Sequence, residues 1–184
     1  MSPTAVLDAN VLFPMILRDT LLRVAAAGCY RAHWTGRILD EMARNLVEQH
    51  RATQPQVDRL VTEMTRAFPE AAVEGWERHE GAMPNDPKDR HVAAAAVQIS
   101  AELIVTANLK DFASLPAGIH AIGPDEFLLG RLDAMPGQVL AALAKQAASY
   151  RNPPADLGEL LDWLELAVPD FVAAARKRFG GRTA

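Results

Sequence analysis

Thr4-Ala-Val-Leu-Asp8-Ala-Asn10-Val-Leu-Phe13 is the stretch whose reading decides the fold. Its first half is aliphatic, has no polar alternation and is too short for a helix, which predicts a buried, parallel strand. Asp8 stands at that strand's carboxyl end, and helical spacing resumes at once behind it. In an open α/β sheet this is the edge where ligands collect, because the loops leaving the strands form a crevice there. An aspartate is costly to bury unless it is paired or holds a metal. Standing alone, Asp8 favours a plainer role as a helix cap, a position that suits both Asp and Asn. The later acidic residues, each also at the end of an element, turn that balance.

The rest of the chain is consistent with one full core. A length of 184 residues implies that roughly 70% of the unfolded surface is buried on folding, without need of a second independent domain. Hydrophobic residues make up 49% and charged ones 23%, as in a compact soluble protein. The formal net charge of -4 gives no global basic field to announce a nucleic-acid partner, although a concentrated acid cluster can mask a local basic surface. Cys29 is the only cysteine, so no intramolecular disulfide can form and a reducing cytoplasm is expected. No basic-then-apolar leader and no run near the roughly 20 apolar residues of a membrane span is present, so no membrane association is expected.

Working outward, Leu12, Ile16, Leu17, Leu21 and Val24 predict a crossover helix over Leu12 to Ala27, with Pro14 in its first turn and Gly28 as its stop. Tyr30 to Trp34 reads as a short strand. Thr35 then caps a helix over Arg37 to His50, with Ile38, Met42 and Leu46 as its buried stripe and Glu41 beside it. Thr53 and Pro55 open another helix, with Val57, Leu60, Val61, Met64 and Phe68 on its apolar side. A loop broken by Gly75, Gly81, Pro84 and Pro87 carries a short strand near Ala71 to Val73 and delivers the chain to Asp89. Asp89 falls in the first turn of an alanine-rich helix ending near Ser100, and Leu103 to Thr106 and Ile119 to Ile122 read as strands around a short turn of helix at Lys110 to Ala113. Strands alternating with helices imply an α/β fold, a parallel sheet covered by helices. Beyond Pro124 only helical spacing remains, punctuated by Pro136, Pro153-Pro154 and Pro169, and the chain ends on the locally basic Arg176-Lys-Arg-Phe-Gly-Gly-Arg182. The expected division is therefore a sheet domain over 1–124 and a helical C-terminal extension over 125–184.

The acids at element ends are Asp8, Glu41, Asp86, Asp89 and Asp111. In a parallel sheet, Asp8 and the Thr106-Ala-Asn108 turn leave the same edge, and Asp89 can approach it from a helix N-terminus. Clustered carboxylates repel one another but suit Mg²⁺ or Mn²⁺, hard cations that take oxygen ligands and keep waters for a substrate phosphate. Zinc suits the set poorly, since the histidines show no paired ligand spacing. Asn10 is expected to hydrogen-bond Asp8 or the helix backbone, and Thr106 to orient a carboxylate. Asp86, before a proline, reads mainly as a turn residue. Lys88, Arg90 and Lys110 flank the acids and could meet phosphates, though such lysines are more often solvated pairs.

The segments VLDANVLF, ILDEMARNL, NDPKDRHVAAAAV and IVTANLKDF, in this order over about residues 4 to 124, resemble a PIN domain of the kind found in VapC-type toxins of bacterial toxin–antitoxin modules. The resemblance implies a parallel sheet with helices on both faces and metal-dependent cleavage of RNA. Carried over position by position, it makes Asp8 the first acid, Glu41 the second and Asp89 the third, with Asp40 as the alternative to Glu41. The fourth comes from the turn in which Asn108 and Asp111 compete; many members have an acid at the Asn108 position, which leaves Asp111 as the acidic partner here. Asp8, Asp89 and Asp111 are then the metal ligands, with Asn10, Thr106 and Asn108 supporting them. The implied partners are structured RNA such as transfer RNA and a cognate antitoxin, with a homodimer also admitted. The rival from another class is a non-catalytic PIN scaffold that binds RNA or protein, motivated by Asn108. An aspartyl phosphatase built on Asp8 is weaker, because Asn10 stands where its general acid is wanted.

Overall fold

The computed structural model describes residues 2–151 and 156–180. Among them, β1 (Thr4–Leu7), β2 (Arg31–His33), β3 (Leu103–Val105) and β4 (His120–Ile122) form a parallel sheet in the order β2-β1-β3-β4. β1 is central and wholly buried, as its unbroken aliphatic run requires. Val6 registers with His33 on one side and with Ile104 on the other. The helices, in chain order, are α1 (Ala9–Leu12), α2 (Met15–Ala26), α3 (Gly36–Glu48), α4 (Gln54–Ala67), α5 (Glu77–Glu80), α6 (Arg90–Gln98), α7 (Pro124–Ala134), α8 (Pro136–Ser149), α9 (Leu157–Glu165) and α10 (Pro169–Gly180). Short 3-10 turns cover Pro87–Asp89 and Leu109–Phe112. This is the expected α/β architecture with a helical C-terminal part. No helix among the described residues is long and apolar enough to cross a membrane.

The chain resolves into two compact units, one made of Pro3–Phe13 and Arg31–Ile122, the other of Pro14–Tyr30 and the chain from Gly123. In the first, α6 packs against β1 and β3. Ala93, Ala94, Ala95 and Ala96 are fully buried there, and their small side chains let the helix backbone come close to the sheet. Thr35 accepts a hydrogen bond from the Ile38 N–H at 3.1 Å and so caps α3, whose buried stripe is Ile38, Leu39, Met42 and Leu46. The Thr53 N–H donates to Gln56 Oε1 at 2.8 Å, closing the first turn of α4.

Local structure departs from the sequence reading in three places. The helix expected over Leu12 to Ala27 is divided at Pro14, which takes an extended ψ of 118° and starts α2 afresh, because its ring cannot offer an N–H to the turn before it. The strand expected near Ala71 to Val73 is a single parallel bridge between Trp34 and Ala72, closed in by Pro69 and by Gly75 at a φ of +73°. Asp89 ends the 3-10 turn that precedes α6, one position before the helix proper.

In the second unit, Leu17, Leu21 and Val24 of α2 are buried with Phe127, Leu128 and Leu132 of α7, Val139, Leu140 and Leu143 of α8, and Leu160, Leu161 and Leu164 of α9. Tyr30 and Phe127 meet edge to face at 4.8 Å. The Thr20 hydroxyl donates to Gln146 Oε1 at 2.9 Å, and the Gln146 amide donates to the Ile16 carbonyl at 3.2 Å, so a fully buried glutamine is satisfied between α2 and α8. The Asp125 carboxylate accepts the Phe171 N–H at 2.8 Å, a charged cap on the first turn of α10. In the basic C-terminal stretch, Arg176 pairs with Asp162 and Arg178 with Asp133. The Pro153-Pro154 break and Arg182 lie outside the described residues.

Candidate active site

Asp8 follows β1 directly, its N–H donating to the Val105 carbonyl at 3.1 Å. It occupies the cap position of α1 but makes no capping hydrogen bond with its side chain. The carboxylate is instead buried and turned to the neighbouring strand end. The Thr106 hydroxyl and the Asn10 amide each donate to Asp8 Oδ2 at 2.7 Å. Asn10 also donates to Thr106 Oγ1 at 3.0 Å and accepts the Ala107 N–H at 2.9 Å, which ties α1 to the turn after β3. The crossover between parallel strands thus brings residues 8, 10 and 106 into one hydrogen-bonded clamp.

Asn108 and Asp111, the two candidates for the fourth position, are in contact. The Asn108 amide donates to Asp111 Oδ2, and Lys88 Nζ lies 2.5 Å from that same oxygen. Lys88 Nζ is also 3.9 Å from Asp89 Oδ2. The turn holding Asp111 is fastened by the Asp86 N–H, which donates to the Asp111 carbonyl at 3.1 Å. Asp86 itself uses Oδ1 to accept the Lys88 N–H at 3.1 Å, so its carboxylate caps the 3-10 turn. Arg90 turns its Nε to the Asn85 carbonyl at 3.4 Å.

The carboxylates sense one another. Burial pushes the Asp8 carboxyl above its ordinary range and the Glu41 charge adds to that, against the hydrogen bonds from Thr106, Asn10 and the Ala9 backbone. Asp89 is pushed up to about 7, first by burial, then by its hydrogen bond with Asp111 and the charge of Asp8, with Lys88 opposing. Asp111 is held below the usual carboxylate range, chiefly by the Lys88 ammonium. Asp89 Oδ2 is buried with no hydrogen-bond partner.

Glu41 stands further out, its side chain 40% exposed and its Oε2 3.7 Å from His91 Nε2. Asp40 is exposed on a separate surface with Ala43, Arg44 and Val47. Sequence reasoning passed over His91, which is buried on α6 with Nδ1 3.1 Å from the Lys88 carbonyl and Nε2 without a hydrogen-bond partner. It also passed over Asn85, whose buried amide has no partner on either atom. Their place in the segment from Asn85 to His91, around Asp89, was the available signal.

Among the described residues, no group of three or more His, Cys, Asp or Glu side chains stands ready to hold a metal ion. Mg²⁺ does not require such a cage, since it is commonly bound through one or two carboxylates, with waters and substrate phosphates completing the shell. Two carboxyls that burial holds above their ordinary range, one of them with an oxygen that has no hydrogen-bond partner, fit a hard divalent cation.

A Mycobacterium tuberculosis (strain ATCC 25618 / H37Rv) protein named "Putative ribonuclease VapC50" is 46% identical to this chain over 101 residues, 53% of this chain and 60% of that protein. The match thus spans less than two thirds of the relative's length. No solved structure matches significantly. Residues 124–177 match the VapC50 C-terminal domain family, and residues 4–110 match the PIN domain family. The chain belongs to the PIN domain family.

Proposed function

We propose that the chain is a Mg²⁺- or Mn²⁺-dependent endoribonuclease, the toxin of a type II toxin–antitoxin pair, with the chemistry carried by residues 1–124 and residues 125–184 as a helical extension. The observation that carries this reading is the acid cluster: burial and the Glu41 charge raise Asp8, burial, Asp111 and the Asp8 charge raise Asp89, and Asp89 Oδ2 is buried with no hydrogen-bond partner. The ribonuclease named above supports it by likeness. Asp8 and Asp89 would hold the cation, with Asp111 and Glu41 contributing charge to the same centre. When bound, a divalent cation supplies Lewis acidity toward water and phosphate.

The protein's own groups do the positioning. Thr106 and Asn10 fix Asp8 Oδ2 and so set the direction of the carboxylate. Asn108 and Lys88 hold Asp111 in the turn after β3, and Lys88 and Lys110 present cationic charge to a phosphodiester. Glu41, exposed at the rim, is placed to accept a proton. RNA and an antitoxin that blocks this centre are the partners of this reading. Incubation with a mixed RNA pool tests it: cleavage that requires Mg²⁺ or Mn²⁺ and stops on adding EDTA is expected. Absence of cleavage with any divalent cation would favour the non-catalytic scaffold instead.

A further inference from the structure

We propose that the Lys88 ammonium is the built-in second cation of this centre, so that the chain takes up a single divalent ion, at Asp8 and Asp89. The inference rests on the metal-dependent reading above. Lys88 Nζ reaches both Asp111 Oδ2, at 2.5 Å, and Asp89 Oδ2, at 3.9 Å, the carboxylates that a second divalent ion would have to share. Two-metal centres that cleave phosphodiesters hold their ions about 3.5–4 Å apart. With its ammonium seated against Asp111 and within ion-pair distance of Asp89, Lys88 stands where a second ion shared by those two carboxylates would sit.

The lysine is held where it is from its own backbone. Its N–H donates to Asp86 Oδ1 at 3.1 Å, and its carbonyl faces His91 Nδ1 at 3.1 Å. Its side chain is 63% exposed, so the charged head keeps its hydration while pairing. Asn108 completes the arrangement. A carboxylate at that position would add negative charge and call for another cation, whereas the amide donates to Asp111 and lets one ammonium neutralise the turn. An ammonium has donors and no acceptor, so Lys88 can offset phosphate charge but cannot activate water.

Mn²⁺ titration of the full chain, read by calorimetry and by the paramagnetic signal of free Mn²⁺, tests the assignment in wild type, Lys88→Met, Lys88→Gln and Lys88→Arg. Metal-free melts establish that each variant is folded. One equivalent is expected for wild type and for Lys88→Arg, which keeps the charge, and two for Lys88→Met and Lys88→Gln. Two equivalents in wild type or in Lys88→Arg, or a single one in the neutral variants, overturns the proposal. RNA cleavage by the wild type, measured alongside, keeps the two claims apart. A chain that binds one Mn²⁺ and cuts no RNA overturns the nuclease reading while leaving the lysine assignment in place. A chain that binds no Mn²⁺ overturns both.

Discussion

Replacing Asp89 by Asn should make the metal-free protein more stable at neutral pH. In the native state the Asp89 carboxyl is raised from 3.8 to about 7, first by burial and then by Asp111 and Asp8. The unfolded chain releases this proton near pH 4, while the native chain keeps it until about pH 7. Across that window the native state binds more protons, so stability falls as pH rises and levels off above the window. A shift of about three units would correspond to about 4 kcal/mol at 1.36 kcal/mol per unit. Asp89 keeps contact with solvent and with Lys88, so we expect about 1–2 kcal/mol after screening. Asn can still donate to Asp111, which removes the charge without removing the hydrogen bond. Urea denaturation of both proteins in EDTA from pH 4 to pH 8 measures the difference, which should be near zero at pH 4 and favour Asp89→Asn by about 1–2 kcal/mol at pH 8. A constant difference across that range, or one favouring the wild type at high pH, would refute the reasoning.

Thr106→Val removes the hydroxyl that donates to Asp8 at 2.7 Å and should cost about 1.5–3 kcal/mol in urea denaturation, as for a hydrogen bond to a charged group, with Thr106→Ser close to wild type; an equal loss in Ser would point to packing instead. Asp111→Asn should weaken Mn²⁺ binding more than Asn108→Ala does, because it both removes a charge and frees Lys88 to move onto Asp89; the opposite order in calorimetry would count against this account of the turn. Truncation at Gly123 strips Leu17, Leu21 and Val24 of the helices that share their compact unit, so the product should aggregate on gel filtration. A monodisperse truncation would contradict that expectation.

Much of the fold was legible because its signals are local. Aliphatic runs bounded by turn residues marked the strands, and Thr35 and Thr53 marked helix starts that their hydrogen bonds now explain. Asn10 and Thr106 could be named as supports of Asp8 because parallel connectivity puts both strand ends at one edge. What periodicity could not carry was the direction of side chains leaving irregular backbone. Lys88 and Asp111 sit on separate 3-10 turns, where 3.6-residue spacing says nothing about facing, so their contact was invisible. The hydrogen bond that joins Asn108 to Asp111 was hidden for the same reason. His91 was hidden by the alanine run around it, and the break at Pro14 by a rule that tolerates proline in a first turn.

The central claim is that Asp8 anchors a cation used for RNA cleavage, and RNA cleavage by wild type and Asp8→Asn in Mn²⁺, with metal-free melts to confirm that both fold, tests it most directly. Asn keeps the size of the side chain and removes the charge held by Thr106 and Asn10. The account predicts that cleavage falls below detection in Asp8→Asn, and that Mg²⁺ at 100 times its dissociation constant stabilises the wild type by about 2.7 kcal/mol and the variant by much less. Retained cleavage together with an equal metal-induced shift in melting would contradict it.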